Sequence, residues 1–275
     1  MGDDHASLTE FMSCEKLDRD LFRGQSKDLN TGQVYGGQVL GQAIQAAMHT
    51  VDADRPIRSA HAYFLRKGDV TAPIIYEVDR SLDGRSTSSR RVVAIQHGKQ
   101  ILHLSSSFQK EEKGLDYIQT LDVPIASLEQ YLANEDFSTN HFQEQFLDIH
   151  PLKEEERTRD NSIQLWIKTK ENLPDDPRTH QSAMAYISDL GLLHSTLVPH
   201  GYEHKTRSKK SPVILASIDH VIWFHRPFRV DEWFFYDCRV ISTSGGRGLA
   251  DGRLYDKSGT LVASTAQEGM LRLRR

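Results

Sequence analysis

The feature that most constrains this fold is a repeat in the order of its elements. A short strand candidate at Leu21–Arg23 and a polar turn precede a helical pattern, in which Val39, Leu40, Ala43, Ile44, Ala47 and Met48 recur on one face. Strand patterns follow at Arg58–Arg66, Ile74–Arg80, Ser89–His97 and Gln100–Gln109, separated by turns such as Asp83-Gly84 and His97-Gly98. The second half repeats the order. A strand pattern at Ile163–Lys168 precedes a helix, and strands follow at Ile214–His225, Trp233–Val240, Gly248–Tyr255 and Leu261–Gln267. Single residues echo as well. Phe64-Leu65-Arg66 resembles Phe224-His225-Arg226, and Tyr76 resembles Tyr236, both at an offset of 160 (224 − 64, 236 − 76). Ser106-Ser107-Phe108-Gln109 resembles Ser264-Thr265-Ala266-Gln267 at an offset of 158 (267 − 109). One helix followed by four strands, twice, predicts an α+β chain of two antiparallel sheets, each wrapped around a central helix.

The repeat places the first half at residues 1–112 and the second at 161–275. Residues 113–160 form an acidic connection with the run Glu154-Glu155-Glu156 and a short helix within Val123–Leu132. The connection reads as more solvated than packed.

The helix of the second half, placed at Ala183–Leu197, is apolar almost all round and holds one carboxylate, Asp189. At helical spacing its neighbours are Ala185, Tyr186, Leu192 and Leu193. An acid there either reaches water through a gap in the packing or works as a catalytic carboxylate in a cleft. Apolar surroundings should raise its pKa and make it a better base.

Composition narrows the function. A formal charge of −4 argues against a nucleic-acid binder. Cys14 and Cys238 lie far apart and offer neither a disulfide framework nor zinc spacing, which points to a reducing compartment. The first residues, MGDDHASLTEF, are polar and acidic, unlike a targeting peptide, and no run approaches the ~18 apolar residues of a membrane span. The chain ends LRLRR, unlike a peroxisomal tail. The expectation is a cytoplasmic protein.

Five pieces, in order, carry a resemblance: Tyr35-Gly36-Gly37-Gln38; Asp83-Gly84-Arg85-Ser86; Ser188-Asp189-Leu190; Ile218-Asp219-His220 through Trp223-Phe224-His225-Arg226-Pro227-Phe228; and Val262-Ala263-Ser264-Thr265-Ala266-Gln267-Glu268-Gly269. Together they resemble the type II acyl-CoA thioesterases, from about Leu21 to Met270. The resemblance implies a double hot-dog fold and hydrolysis of fatty acyl-CoA to free acid and CoA, with no cofactor and no metal. It implies a catalytic trio that orients a water, matching Asp189, Ser217 and Gln267; many members have Thr where this chain has Ser217. It also implies a homodimer or a dimer of double hot-dogs.

Thioester hydrolysis needs a positioned water, a group to take its proton and donors for the oxyanion. Asp189 suits the proton; Ser217 and Gln267 can each donate and accept hydrogen bonds. By pattern alone Ser217 is an ordinary strand serine, sharing a face with Asp219, Val221 and Trp223, and Gln267 is a solvated strand residue. Gly36 and Gly37 either let a thioester approach the helix start or only permit tight helix–sheet packing.

Other patterns fail as sites. Gln42 stands where a P-loop needs lysine, and no G-x-S-x-G elbow exists. Pro199 and Gly201 argue against a zinc-binding helix at His200 and His204. His220 and His225 fall on opposite strand faces, and Asp219 and His220 point apart. Arg90-Arg91 and Lys209-Lys210 read as solvated charge or as partners for CoA phosphates. The competing functions are a hot-dog hydratase or dehydratase, which wants an Asp–His pair, and a non-catalytic acyl-CoA binder.

Overall fold

A computed structural model describes residues 7–29, 31–133, 145–202 and 211–274. Lys209, Lys210 and His204 lie outside the described residues. The first half begins with a short helix α1 (Leu8–Met12) and strands β1 (Cys14–Asp18) and β2 (Leu21–Gly24). Helix α2 (Gly36–Met48) follows, then β3 (Ile57–Phe64), β4 (Ile74–Asp83), β5 (Thr87–Gln96) and β6 (Lys99–Gln109). The strands alternate buried and exposed residues, as a sheet with one covered face requires. His97 and Gly98 both have positive φ (49° and 70°), the backbone of the two-residue hairpin turn that joins β5 to β6.

The connection is more structured than its acidity suggests. It carries α3 (Ile125–Ala133) and β7 (Leu147–Pro151). Val123 and Leu128 are buried with Trp166, Trp233, Phe235 and Tyr255, and Leu121, Ile125 and Tyr131 pack against that cluster. Spaced apolar residues in an acidic stretch are enough to cover a sheet face, while the acids between them stay in water.

The second half holds β8 (Ser162–Thr169), α4 (Pro177–Ser188), β9 (Val213–Ser217), β10 (Asp219–Phe224), β11 (Phe234–Ser244), β12 (Arg247–Tyr255) and β13 (Leu261–Leu273). Two tandem hot-dog folds therefore make up the chain, each with a central helix, α2 or α4, and an antiparallel sheet.

Two differences from the expected elements bear on the site. The helix placed at Ala183–Leu197 begins earlier, where Asp176 caps it and Pro177 opens it, and ends at Ser188. Gly191 then turns left-handed (φ 76°), and a separate 3-10 helix occupies Leu193–His200. The strand placed at Ile214–His225 is interrupted at Ile218. β9 pairs with β13, whereas β10 pairs with β3. Within β10, His220, Ile222 and Phe224 are buried and Trp223 is exposed.

By contacts the chain divides into two compact units that cut across the expected limits of 1–112, 113–160 and 161–275. The first unit takes residues 1–116 together with 173–190 and 218–224, hence α4 and β10. Its strands run β1-β2-β4-β5-β6-β3-β10, all antiparallel. The second unit takes 117–172, 191–217 and 225–275, with strands in the order β7-β8-β11-β12-β13 and β9 beside the tail of β13. Among the described residues no helix is long and apolar enough to cross a membrane.

Candidate active site

Within the first unit α2 and α4 lie antiparallel. The Arg178 guanidinium at the start of α4 donates to the Met48 carbonyl (2.9 Å), the Val51 carbonyl (3.0 Å) and the Asp52 carbonyl at the end of α2. A cation there complements the negative pole of α2. At the other end the helices approach so closely that a Cβ on Gly37 would meet the Tyr186 carbonyl at 2.3 Å. The glycine permits helix–helix contact, not the helix–sheet contact expected of it. Gly36 has a different neighbour: a Cβ there would lie 2.7 Å from Asp189 Oδ2.

Asp189 is thus not in the middle of a helix. It is the C-cap of α4 and is half-buried. Three of the last carbonyls of α4 are engaged. Ala185 accepts from Ser188 Oγ (2.8 Å), Tyr186 from Tyr35 Oη (3.2 Å), and Ile187 from the N–H groups of Asp189 and Leu190 (2.9 Å for the latter). Helix ends normally leave such groups to water, so this one is unusually fixed. A carboxylate at the negative pole of a helix costs about 0.3–1 kcal/mol of helix stability. The positive pole of α2, beginning at Gly36 with no side-chain cap from Tyr35, stands beside it and offsets that cost.

The second unit brings Ser217 and Gln267 together. Gln267 Nε2 donates to Ser217 Oγ at 2.8 Å. Ser217 lies opposite Gly269 on β13, and Gln267 opposite Ala250 on β12. Gln267 is fully buried, not the solvated strand residue its pattern suggests. A serine that accepts from an amide keeps its own proton to donate elsewhere, so the pair presents an ordered donor. Asp189 belongs to the first unit.

Other expectations change. Arg90 is neither solvated nor available to phosphates. It is 1% exposed and donates to Thr50 Oγ1 (2.7 Å), the Thr50 carbonyl (2.9 Å), the Leu82 carbonyl (2.9 Å) and Asp83 (2.5 Å). Asp83 is held below the usual carboxylate range, chiefly by that arginine. Arg91 is exposed. His200 donates to or accepts from Thr243 Oγ1 at 2.9 Å. Among the described residues no group of three or more His, Cys, Asp or Glu is placed to hold a metal ion.

One contact escaped the sequence reading. His220 Nε2 lies 2.8 Å from Ser188 Oγ, both buried. The only sequence signal is adjacency: Ser188 precedes Asp189, and His220 follows Asp219.

A central helix and an antiparallel sheet, present twice, define a double hot-dog protein. The acyl-CoA thioesterase family matches residues 133–270, and the acyl-CoA thioesterase N-terminal domain matches residues 25–109. Acyl-CoA thioesterase 2 of Haemophilus influenzae is 35% identical over 99% of both chains. Human acyl-coenzyme A thioesterase 8 is 34% identical, covering 97% of this chain and 89% of that one. The crystal structure of an acyl-CoA thioesterase II, TesB2, from Mycobacterium marinum has a TM-score of 0.81 at 34% identity over 96% of each chain. The chain belongs to the acyl-CoA thioesterase family and is a thioester hydrolase acting on acyl-CoA.

Proposed function

We propose that this protein hydrolyses fatty acyl-CoA to free fatty acid and CoA, using a water oriented by Asp189, Ser217 and Gln267. Asp189 takes a proton from the water as its oxygen attacks the thioester carbonyl carbon. The tetrahedral oxyanion collapses, the C–S bond breaks, and the thiolate leaves and is protonated to CoA. Ser217 and Gln267 hold the water in line, so that the attack needs little reordering. The N–H groups that open α2 at Gly36 and Gly37 are suited to the oxyanion or to close passage of the thioester.

The observation that carries this reading is the 2.8 Å bond from buried Gln267 to Ser217, two strand residues with no other evident reason to be an ordered polar pair. The position of Asp189 supports it. A carboxylate at a helix end opposes the dipole and costs helix stability, which supports a role for it in the chemistry. The test is a panel of acyl-CoAs of increasing chain length, followed for thiol release and for double-bond hydration. Thiol release that rises with chain length supports the fatty acyl reading. Hydration without thiol release would assign a hydratase instead.

A further inference from the structure

His220 is fully buried on β10, and the proposed reaction gives it no task. Its neighbour Ser188 closes α4 directly before Asp189. Ser188 has one hydroxyl proton and gives it to the Ala185 carbonyl at 2.8 Å. The 2.8 Å contact with His220 must then run the other way, from Nε2–H to Ser188 Oγ. This bond fixes the imidazole tautomer and ties the last turn of α4 to a strand. The strand is itself anchored: His220 pairs with Ala62 of β3, and Phe64 N–H donates to the Ile218 carbonyl at 2.9 Å.

We infer that His220 is a positioning residue for Asp189. Through Ser188 it fixes the end of α4, and so keeps the Asp189 carboxylate beside Gly36. The inference rests on Asp189 being the base, as proposed above. His220 exchanges no proton in the reaction. It serves as a rigid N–H donor delivered from the sheet, so another donor of similar reach can replace it. The chemistry needs this because a helix end frays easily, and a misplacement of about 1 Å costs on the order of 10²-fold in rate.

The experiment measures kcat and KM on one acyl-CoA for His220→Leu, His220→Gln and Ser188→Ala, each alone and combined with Asp189→Asn, with a melting curve for every variant. His220→Leu and Ser188→Ala should lower kcat by roughly 10- to 100-fold with KM changed less than about twofold. His220→Gln, whose Nε2 can reach Ser188, should recover most of the rate. With Asp189→Asn present, none of the three should lower the residual rate further, because each acts only through that carboxylate. The inference is overturned if folded Gln and Leu variants lose rate alike, if kcat survives in both Leu and Ala variants, or if losses multiply in the Asn background. If His220→Leu does not fold, Ser188→Ala and His220→Gln decide on the same criteria. Near-native turnover by Asp189→Asn alone would remove the base assignment and this inference with it; a dead Asn variant beside intact His220 variants would remove only the inference.

Discussion

The two halves share an element order but differ where β9 stands. In the first half the strand that follows the helix begins at Ile57, and β6 ends at Gln109. In the second half five more residues, Val213–Ser217, form β9 against an extended tail of β13 that runs to Leu273. The hydroxyl–amide pair sits at this extra ladder. The residue 160 before Ser217 is Ile57 (217 − 160), fully buried and without a hydroxyl. Gln109 echoes Gln267 in sequence, yet it is the last residue of its strand and half-buried, whereas Gln267 is mid-strand and bonded to Ser217. α2 has no Asp or Glu, and its buried Gln38 and Gln42 hold the Gln25 carbonyl at 2.7 and 3.0 Å, which is structural work. The two copies thus share their packing, while the Ser217–Gln267 bond has no counterpart at Ile57 and Gln109 among the described contacts.

The strongest way to break this comparison is Asp189→Asn. It should keep the fold and lower kcat by at least ~10²-fold, the usual contribution of a general base. Near-native turnover would shift attention to Asp219. Next comes the glutamine pair. Gln267→Ala should lower saturating turnover by about tenfold or more, and Gln109→Ala should leave it nearly unchanged. Equal losses would mean that both halves host chemistry. A smaller contrast is expected at Ser217, where Thr should retain substantial activity and Ala should lose much of it. Identical behaviour of the two variants would remove the hydroxyl from the mechanism.

Gly37→Ala tests packing rather than chemistry. Its methyl would press on the Tyr186 backbone, so denaturant unfolding should show about 1–3 kcal/mol lost. The smallest signal comes from the thiols, one in each unit. Burial pushes the Cys14 thiol up to about 12 and Cys238 well above its usual range, with the neighbouring Asp237 charge adding to the latter. Both stay protonated at pH 8 in the folded protein, so a disulfide-exchange reagent should label them slowly, the fully buried Cys238 more slowly than the half-buried Cys14, and denaturant should speed both.

Most of the fold was legible because strands announce themselves locally. Alternation and turn pairs such as His97-Gly98 placed β3 to β6 and β11 to β13 within a few residues. The end of α4 was missed because apolar residues continue past Ser188, and hydrophobicity hid the break that Gly191 imposes. The start was missed although Asp176-Pro177 is a recognisable opening. β7 and the packing of the connection were obscured by the acids between their buried residues. At the site, pattern alone marked Asp189; Ser217 and Gln267 needed the resemblance, because a strand serine and glutamine are common. Nothing in local sequence brings Ser188 to His220, 32 residues apart. Such a pairing is a product of the tertiary fold.

The membership of α4 and β10 in the first unit has a consequence for synthesis. That unit is interrupted after Asp116 and receives its last residues only at Phe224, 108 positions later (224 − 116). At about 5–20 residues per second, a ribosome needs roughly 5–20 s to deliver them. Until Ser188 is made, 72 positions after Asp116 (188 − 116), Gly37 of α2 has no α4 to meet, and for most of that time Arg178 has not arrived to seal the end of α2. The nascent chain must carry an open first unit while most of the second is being made. A partner that binds exposed apolar helices therefore has its opportunity early, before the carboxylate of Asp189 has been set beside Gly36.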